Sequence, residues 1–193
     1  MEKIIKLIKN SGVKYLELDV KNRETLFFEG DECRKIGIVI SGRLSIVSYY
    51  SDGKEVIYNI LEKGKMFGNN LIFSSEPFYR GDVVADEESK VLLIDKEEFL
   101  KAISSNQEIL ELFLREQSDF SKSLNLKIKL LTIDGAKERI LYYLTINKNV
   151  ITYKSITKLS KTLYLSREVV SRTIYKLEKE GLVEIKDKRI TLK

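Results

Sequence analysis

Ser166-Arg-Glu-Val-Val-Ser-Arg172 is the stretch that decides how the rest of the chain is read. Serine is a favoured helix N-cap, because its hydroxyl accepts a hydrogen bond from a main-chain N–H of the first turn. On the helix that follows, Arg167, Glu168, Ser171 and Arg172 fall at i, i+1, i+4 and i+5 and share a face. Val169, Val170, Ile174 and Leu177 lie mostly on the opposite side, where they can pack. The polar face offers two guanidinium groups, which pair with guanine O6 and N7, and a carboxylate, which accepts from cytosine N4. These are groups suited to reading base edges in a major groove.

The surrounding residues give that helix a setting. Ala136–Asn147 is amphipathic, with Ile140, Leu141 and Leu144 facing inward, and Ser155–Thr162 forms a short helix carrying Ile156 and Leu159. The helix capped by Ser166 runs to Glu180 and stops at Gly181. Leu182–Leu192 then reads as two short strands around an Asp187-Lys188 turn. Helix, short helix, recognition helix and hairpin make a winged helix-turn-helix. Lys186, Lys188 and Arg189 on the wing are placed to touch phosphates, which position a protein on DNA without specifying sequence. Tyr142, Tyr143 and Tyr153 read as packing residues.

Charge supports the division. Residues 136–193 hold 14 Lys/Arg against 6 Asp/Glu, a net of +8, whereas residues 1–135 hold 20 against 23, a net of −3. A basic final third joined to a mildly acidic remainder is the footprint of a nucleic-acid-binding module attached to a different one.

Upstream, residues 106–133 carry Leu110, Phe113, Gln117, Phe120, Leu124, Ile128 and Leu131 at intervals of three and four, uninterrupted by Gly or Pro. This predicts a long helix with a narrow apolar stripe. The stripe can pack on its own domain or against a second copy. A helix of this length outruns a small barrel, so a dimer seam is expected. Asp134-Gly135 breaks the helix, and Asp134 is the expected cap of the next one.

Residues 17–99 change character again. Thr25–Phe28, Ile36–Ile40, Arg43–Tyr50, Glu55–Leu61 and Lys90–Ile94 are rich in β-branched and aromatic residues. Turn signals separate them at Glu29-Gly30-Asp31, Ser41-Gly42, Asp52-Gly53 and Lys63-Gly64. Many short strands with this punctuation predict an antiparallel barrel or jelly roll. The first residues, Met1 to Lys9, alternate charged and apolar residues as an amphipathic helix does, unlike a secretory signal.

Absences narrow the chemistry. The chain has no histidine and one cysteine, Cys33. Histidine-based triads, His-ligated zinc, proximal-His haem, an iron–sulfur cluster and an intramolecular disulfide are therefore excluded, and no metal site is expected. The lone cysteine fits a reducing cytoplasm. No apolar run approaches the roughly 20 residues of a membrane span.

The order of these parts resembles the CRP/FNR superfamily of bacterial transcription regulators, and the resemblance covers nearly the whole chain. It rests on the glycine-punctuated roll, the long helix and Ser-Arg-Glu-x-Val-Ser-Arg. The exit Lys176-Leu-Glu-Lys-Glu-Gly-Leu-Val-Glu-Ile185, followed by Arg189-Ile-Thr, adds to it. Arg167, Glu168 and Arg172 match the base-reading positions of the cyclic-AMP receptor branch. Glu168, Ser171 and Arg172 also match those of the oxygen-sensing branch. Two departures stand in the motif: Ser160 replaces a small alanine, and Tyr164 occupies the position of the turn glycine.

The resemblance implies an α+β chain in three parts. A double-stranded β-helix (jelly-roll) sensor spans residues 1–105, a dimerisation helix 106–134 and a winged helix-turn-helix 135–193. It implies a homodimer on palindromic double-stranded DNA with half-sites like TGTGA. Arg167 and Arg172 would take guanines, Glu168 a cytosine amino group, and Ser171 a phosphate or thymine. Control would be allosteric, through a small-molecule effector in the roll, with RNA polymerase a further expected partner.

The input side departs more. Nucleotide-binding members carry Gly-Glu-x(9)-Arg-Ser/Thr-Ala, whose Glu takes the ribose hydroxyl and whose Arg takes the cyclic phosphate. This chain reads Gly68-Asn69-Asn70, with Tyr79 at the arginine position, Arg80 one residue late and Gly81 after it. A slip of one residue on a strand turns a side chain to the other face, although a gap in the loop would restore Arg80. Leu124-Asn125 stands where adenine-contacting hydroxyl residues belong. Gly68, Asn69, Asn70, Tyr79, Arg80, Leu124 and Asn125 are thus the candidate lining of a pocket for an unidentified effector. Cys33, in the acidic company of Asp31 and Glu32, reads as a structural cysteine sooner than a redox sensor.

Two other functions stay in competition. One is a ligand-binding module whose helix-turn-helix contacts protein, and the other an enzyme on a β-roll. The basic final third disfavours the first and the missing histidine the second.

Overall fold

A computed structural model describes residues 2–50 and 53–193. Asp52 of the expected Asp52-Gly53 turn and Met1 of the first helix lie outside the described residues. The chain divides into two compact units, residues 1–118 and 119–193.

The first unit opens with helix α1 (Glu2–Asn10), whose Ile4 and Ile8 are buried in the apolar core. Eight strands follow: β1 (Leu16–Val20), β2 (Thr25–Phe27), β3 (Lys35–Ser41), β4 (Arg43–Tyr49), β5 (Glu55–Glu62), β6 (Met66–Phe67), β7 (Asp82–Ala85) and β8 (Ser89–Asp95). They form two antiparallel four-stranded sheets, ordered β1-β8-β3-β6 and β2-β7-β4-β5. This is the expected roll. Inward residues such as Ile36, Ile38, Leu44, Val83, Leu92 and Ile94 are fully enclosed and join the two layers.

Tight corners depend on glycine at two points. Gly42, at φ +81°, lies against the Ser89 hydroxyl and the Glu88 carbonyl. Gly68, at φ +72°, is packed so closely that a Cβ would lie 2.8 Å from the Lys35 carbonyl and 2.9 Å from the Cys33 sulfur. Any side chain at either place would meet both a strained backbone and a clash.

Helix α2 (Lys96–Ser105) closes the roll, and α3 (Gln107–Thr132) follows after Asn106. The Asn106 side-chain oxygen accepts from the main-chain N–H of Glu108 at 3.0 Å and of Ile109 at 3.2 Å, which starts the new helix. The opening turns of α3 pack on the roll. Phe113 makes edge contacts with Phe99 and Phe73, at centroid distances of 5.2 and 5.9 Å. The stripe predicted as one seam therefore divides. Phe113 is buried in the roll core and Leu110 and Gln117 are half-buried, whereas Phe120, Leu124, Ile128 and Leu131 are exposed. Phe113 is a core residue, because two aromatic rings of its own unit enclose it.

The second unit holds the remainder of α3, then α4 (Ala136–Ile146), β9 (Val150–Thr152), α5 (Ile156–Leu163), α6 (Arg167–Lys179), β10 (Val183–Lys186) and β11 (Arg189–Leu192). Ile140, Leu144, Leu159, Leu163, Val170, Ile174, Leu177 and Ile190 form a separate core. The strands pair in the order β10-β11-β9, so the wing is a three-stranded sheet and not an isolated hairpin. Asp187 and Lys188, at φ +49° and +59°, make its tip, the pair of left-handed residues that a two-residue hairpin needs. Asp134 does not cap α4. The cap is Gly135, at φ +85°, and it makes no side-chain cap bond.

Candidate nucleic-acid interface and sensor site

Local chemistry positions α6. The Ser166 hydroxyl accepts from the main-chain N–H of Val169 at 3.2 Å, capping the helix at the predicted residue. Val170, Ile174 and Leu177 face the core, and Val169 is half-buried. Arg167, Glu168, Ser171 and Arg172 are all exposed, and none of them is paired with another described side chain. Two cations and one carboxylate are thus held at the start of a rigid helix with their hydrogen-bonding capacity free. On the wing, Lys186, Lys188 and Arg189 are exposed as well.

The turn between α5 and α6 accommodates both departures from the motif. Ser160 is 4% exposed and donates its hydroxyl to the Thr157 carbonyl at 3.0 Å, so the added polar atom is satisfied within its own helix. Tyr164 sits at φ +54° and ψ +42°, the left-handed conformation that glycine adopts without strain. Its ring points outward, where the Lys127 ammonium lies 5.5 Å from the centroid. Below it, the Arg139 guanidinium donates to three main-chain carbonyls: Leu163 at 3.3 Å, Tyr164 at 3.2 Å and Ile133 at 2.9 Å. Arg139 was not legible as important from the sequence, since an arginine on an amphipathic helix carries no local signature.

In the roll, the candidate effector residues part company. Tyr79 turns inward, only 3% exposed, and stacks on Phe27 with centroids 4.8 Å apart and planes 10° from parallel. Its hydroxyl is buried beside the Cys33 thiol and makes no hydrogen bond of ordinary geometry among the described residues. Burial pushes its ionisation far above the ordinary tyrosine range. Arg80 does not turn inward. It is 70% exposed and pairs with Glu76 at 3.0 Å, so the neighbouring residues of one bend have taken opposite sides. Gly68 faces the buried Cys33–Tyr79 pair. Asn69 is half-buried and its carbonyl accepts from the Gln117 amide at 2.7 Å, whereas Asn70 is exposed. Leu124 and Asn125 belong to the second compact unit, and both are exposed. Gly68, Asn69 and Tyr79 thus form one neighbourhood, in which Tyr79 packs with Phe27, Phe67 and Cys33 in the apolar core.

Cys33 is 2% exposed, and its thiol lies 3.5 Å from the Lys35 carbonyl and 3.6 Å from the Gly68 carbonyl. Desolvation pushes the thiol up from its usual value, so the reactive thiolate is disfavoured. Among the described residues, no group of His, Cys, Asp and Glu side chains could hold a metal ion.

A closed antiparallel roll joined by one helix to a capped recognition helix with a sheet wing defines a sensor-and-reader regulator. Comparison with known proteins agrees. Residues 17–106 match the cyclic nucleotide-binding domain family. The cAMP-activated global transcriptional regulator Vfr of Pseudomonas aeruginosa is 27% identical over 183 residues, 88% of this chain and 86% of that protein. A transcriptional regulator from Thermotoga maritima is 28% identical, with a TM-score of 0.59 over 67% of this chain and 97% of that one. Catabolite Activator Protein from Thermus thermophilus shares the fold across 100% of this chain and 91% of its own, with a TM-score of 0.58 at 20% identity. These likenesses, a cyclic nucleotide-binding domain over residues 17–106 and transcription regulators matched along most of the chain, support a CRP/FNR-type regulator.

Proposed function

We propose that two copies of this chain, paired along the exposed half of α3, bind a palindromic site in double-stranded DNA. One α6 would enter each of two successive major grooves, about 34 Å apart. The observation that carries this reading is the free polar face of Arg167, Glu168, Ser171 and Arg172 on a helix capped by Ser166. Arg167 and Arg172 take guanines and Glu168 a cytosine amino group, Ser171 takes a phosphate or thymine, and Lys188 and Arg189 take phosphates from the wing. The net charge of +8 on residues 136–193 supplies the non-specific attraction.

The chain acts by binding and not as an enzyme, in the cytoplasm, and RNA polymerase is a further partner in this reading. No helix among the described residues is long and apolar enough to cross a membrane. A small effector in the roll sets the disposition of the two recognition helices through α3. The alternative, a cyclic nucleotide held by Arg80, has the domain match behind it, whereas the placement of Arg80 on Glu76 at the surface and of Tyr79 in the interior counts against it. The reading favoured here is an unidentified effector of another chemical class. Thermal-shift screening with cyclic nucleotides against other metabolites tests that statement.

The deciding experiment compares the chain and its Arg172→Ala variant on a selected duplex and on a random one. Base reading requires a loss of about 1–3 kcal/mol on the selected duplex with little change on the random one. Equal weakening on both contradicts it. A flat salt dependence of wild-type binding would favour a protein-contacting helix-turn-helix instead.

A further inference from the structure

The recognition helix carries one exposed aromatic side chain, Tyr175, that neither the core nor the base-reading set uses. Tyr175 is 58% exposed and stands outside the apolar cluster of its unit. It follows Glu168 by seven residues and Arg172 by three, so it lies within about 20° of Glu168 on the helix circumference. The base-reading face therefore continues through Tyr175. One turn further on, the Lys179 ammonium is held over the Tyr175 ring, 4.8 Å from its centroid. Lys179 has no carboxylate partner among the described residues, whereas its neighbour Lys176 lies 3.9 Å from Glu180. A phenol donor and an uncommitted cation thus sit together at one point on this face.

Length decides what they meet. Eight residues separate Arg167 from Tyr175, which is about 12 Å along a helix and about the width of the major groove. With Arg167 and Glu168 against base edges at the start of α6, Tyr175 and Lys179 arrive at the sugar–phosphate wall of the groove. We infer that Tyr175 and Lys179 form a phosphate clamp, the phenol donating its O–H to a backbone oxygen and the ammonium neutralising the same phosphate. The clamp rests on the DNA-reading function proposed above. It fixes how far the helix slides along the groove and adds no sequence preference.

The two groups act through different physics, and that separates them in an experiment. The full-length chain, Tyr175→Phe and Lys179→Gln are titrated against the duplex the wild type selects from a random pool and against a random duplex, at several KCl concentrations. Tyr175→Phe is expected to weaken binding about tenfold on both duplexes, since a hydrogen bond to a charged group is lost. Its salt slope should not change, because no charge is removed. Lys179→Gln should lower the slope of log affinity against log salt by about 0.9 for each phosphate released. Wild-type affinity in Tyr175→Phe, or a loss confined to the selected duplex, overturns the clamp while leaving DNA reading intact. A wild-type chain that selects no duplex overturns both.

Discussion

Arg139 donates to the main-chain carbonyl of Tyr164 at 3.2 Å, so a residue of α4 holds the turn that aims α6. The same guanidinium reaches the Leu163 and Ile133 carbonyls, tying the end of α3 to the helix-turn-helix. Replacing it with alanine leaves three carbonyls to find other donors. Arg139→Ala is expected to lower stability by about 1–3 kcal/mol, and Arg139→Lys by less, since an ammonium can still serve part of the set although it cannot span all three acceptors. Urea denaturation of both variants checks the ranking. An unchanged midpoint for alanine would show that the guanidinium is only decorating the turn.

Tyr164 pays a backbone penalty that depends on residue type. At φ +54° a β-branched side chain is a steric outlier, whereas asparagine visits this region readily. Tyr164→Val should destabilise the second unit by about 1–2 kcal/mol, and Tyr164→Asn should stay within about 0.5 kcal/mol of wild type. Thermal melts of the two variants side by side would show the opposite order if the turn relaxes away from the left-handed conformation.

The roll should weaken at alkaline pH through Cys33 and Tyr79. Both protons are held more tightly in the folded chain than in the unfolded one, and burial is the leading cause in each case. Their contribution is complete below the unfolded values of 9.0 and 10.0 and is lost as the pH rises past them. Denaturation midpoints measured at pH 7 and on a series upward from pH 9 should fall on the alkaline side. Cys33→Ala, although less stable overall because it leaves a void, should fall less steeply. Parallel alkaline limbs would remove Cys33 from the account. By the same burial, the native thiol should react with iodoacetamide only when the chain is unfolded.

Association should depend on the exposed half of α3. Phe120 is 37% exposed, Leu124 41%, Ile128 59% and Leu131 50%, a row of apolar side chains that water would solvate poorly in a lone chain. Leu124→Glu combined with Ile128→Glu is expected to yield a folded monomer in sedimentation experiments. Phe113 is no part of that seam, and Phe113→Ala should instead cost about 3–5 kcal/mol of roll stability. A double glutamate variant that remains dimeric would place the interface elsewhere.

The reader half was more legible in the sequence than the sensor half, for a physical reason. Helix α6, its serine cap and the Asp187-Lys188 tip are set by residues within a few positions of one another, and the chain writes them in order. Strand β9 has three residues and pairs with β11 across nearly forty positions, so its sequence holds no period to detect. Strands β6 and β7, of two and four residues, escaped in the same way. At the effector site, the spacing between Gly68 and Arg80 left the direction of Arg80 open. The fold decides it, by stacking Tyr79 on Phe27 and leaving Arg80 to Glu76. Arg139 escaped altogether, because its three acceptors are carbonyls that every residue possesses.

Helix α3 runs unbroken for 26 residues, about 39 Å, through both compact units. Along an unbroken helix, residue count sets the angular spacing of side chains around the axis. One residue inserted near Ser118 would rotate Phe120, Leu124, Ile128 and Leu131 by about 100° relative to Phe113, and seven would bring them back to within about 20°. Tolerance to insertions along α3 is therefore expected to be periodic in their length.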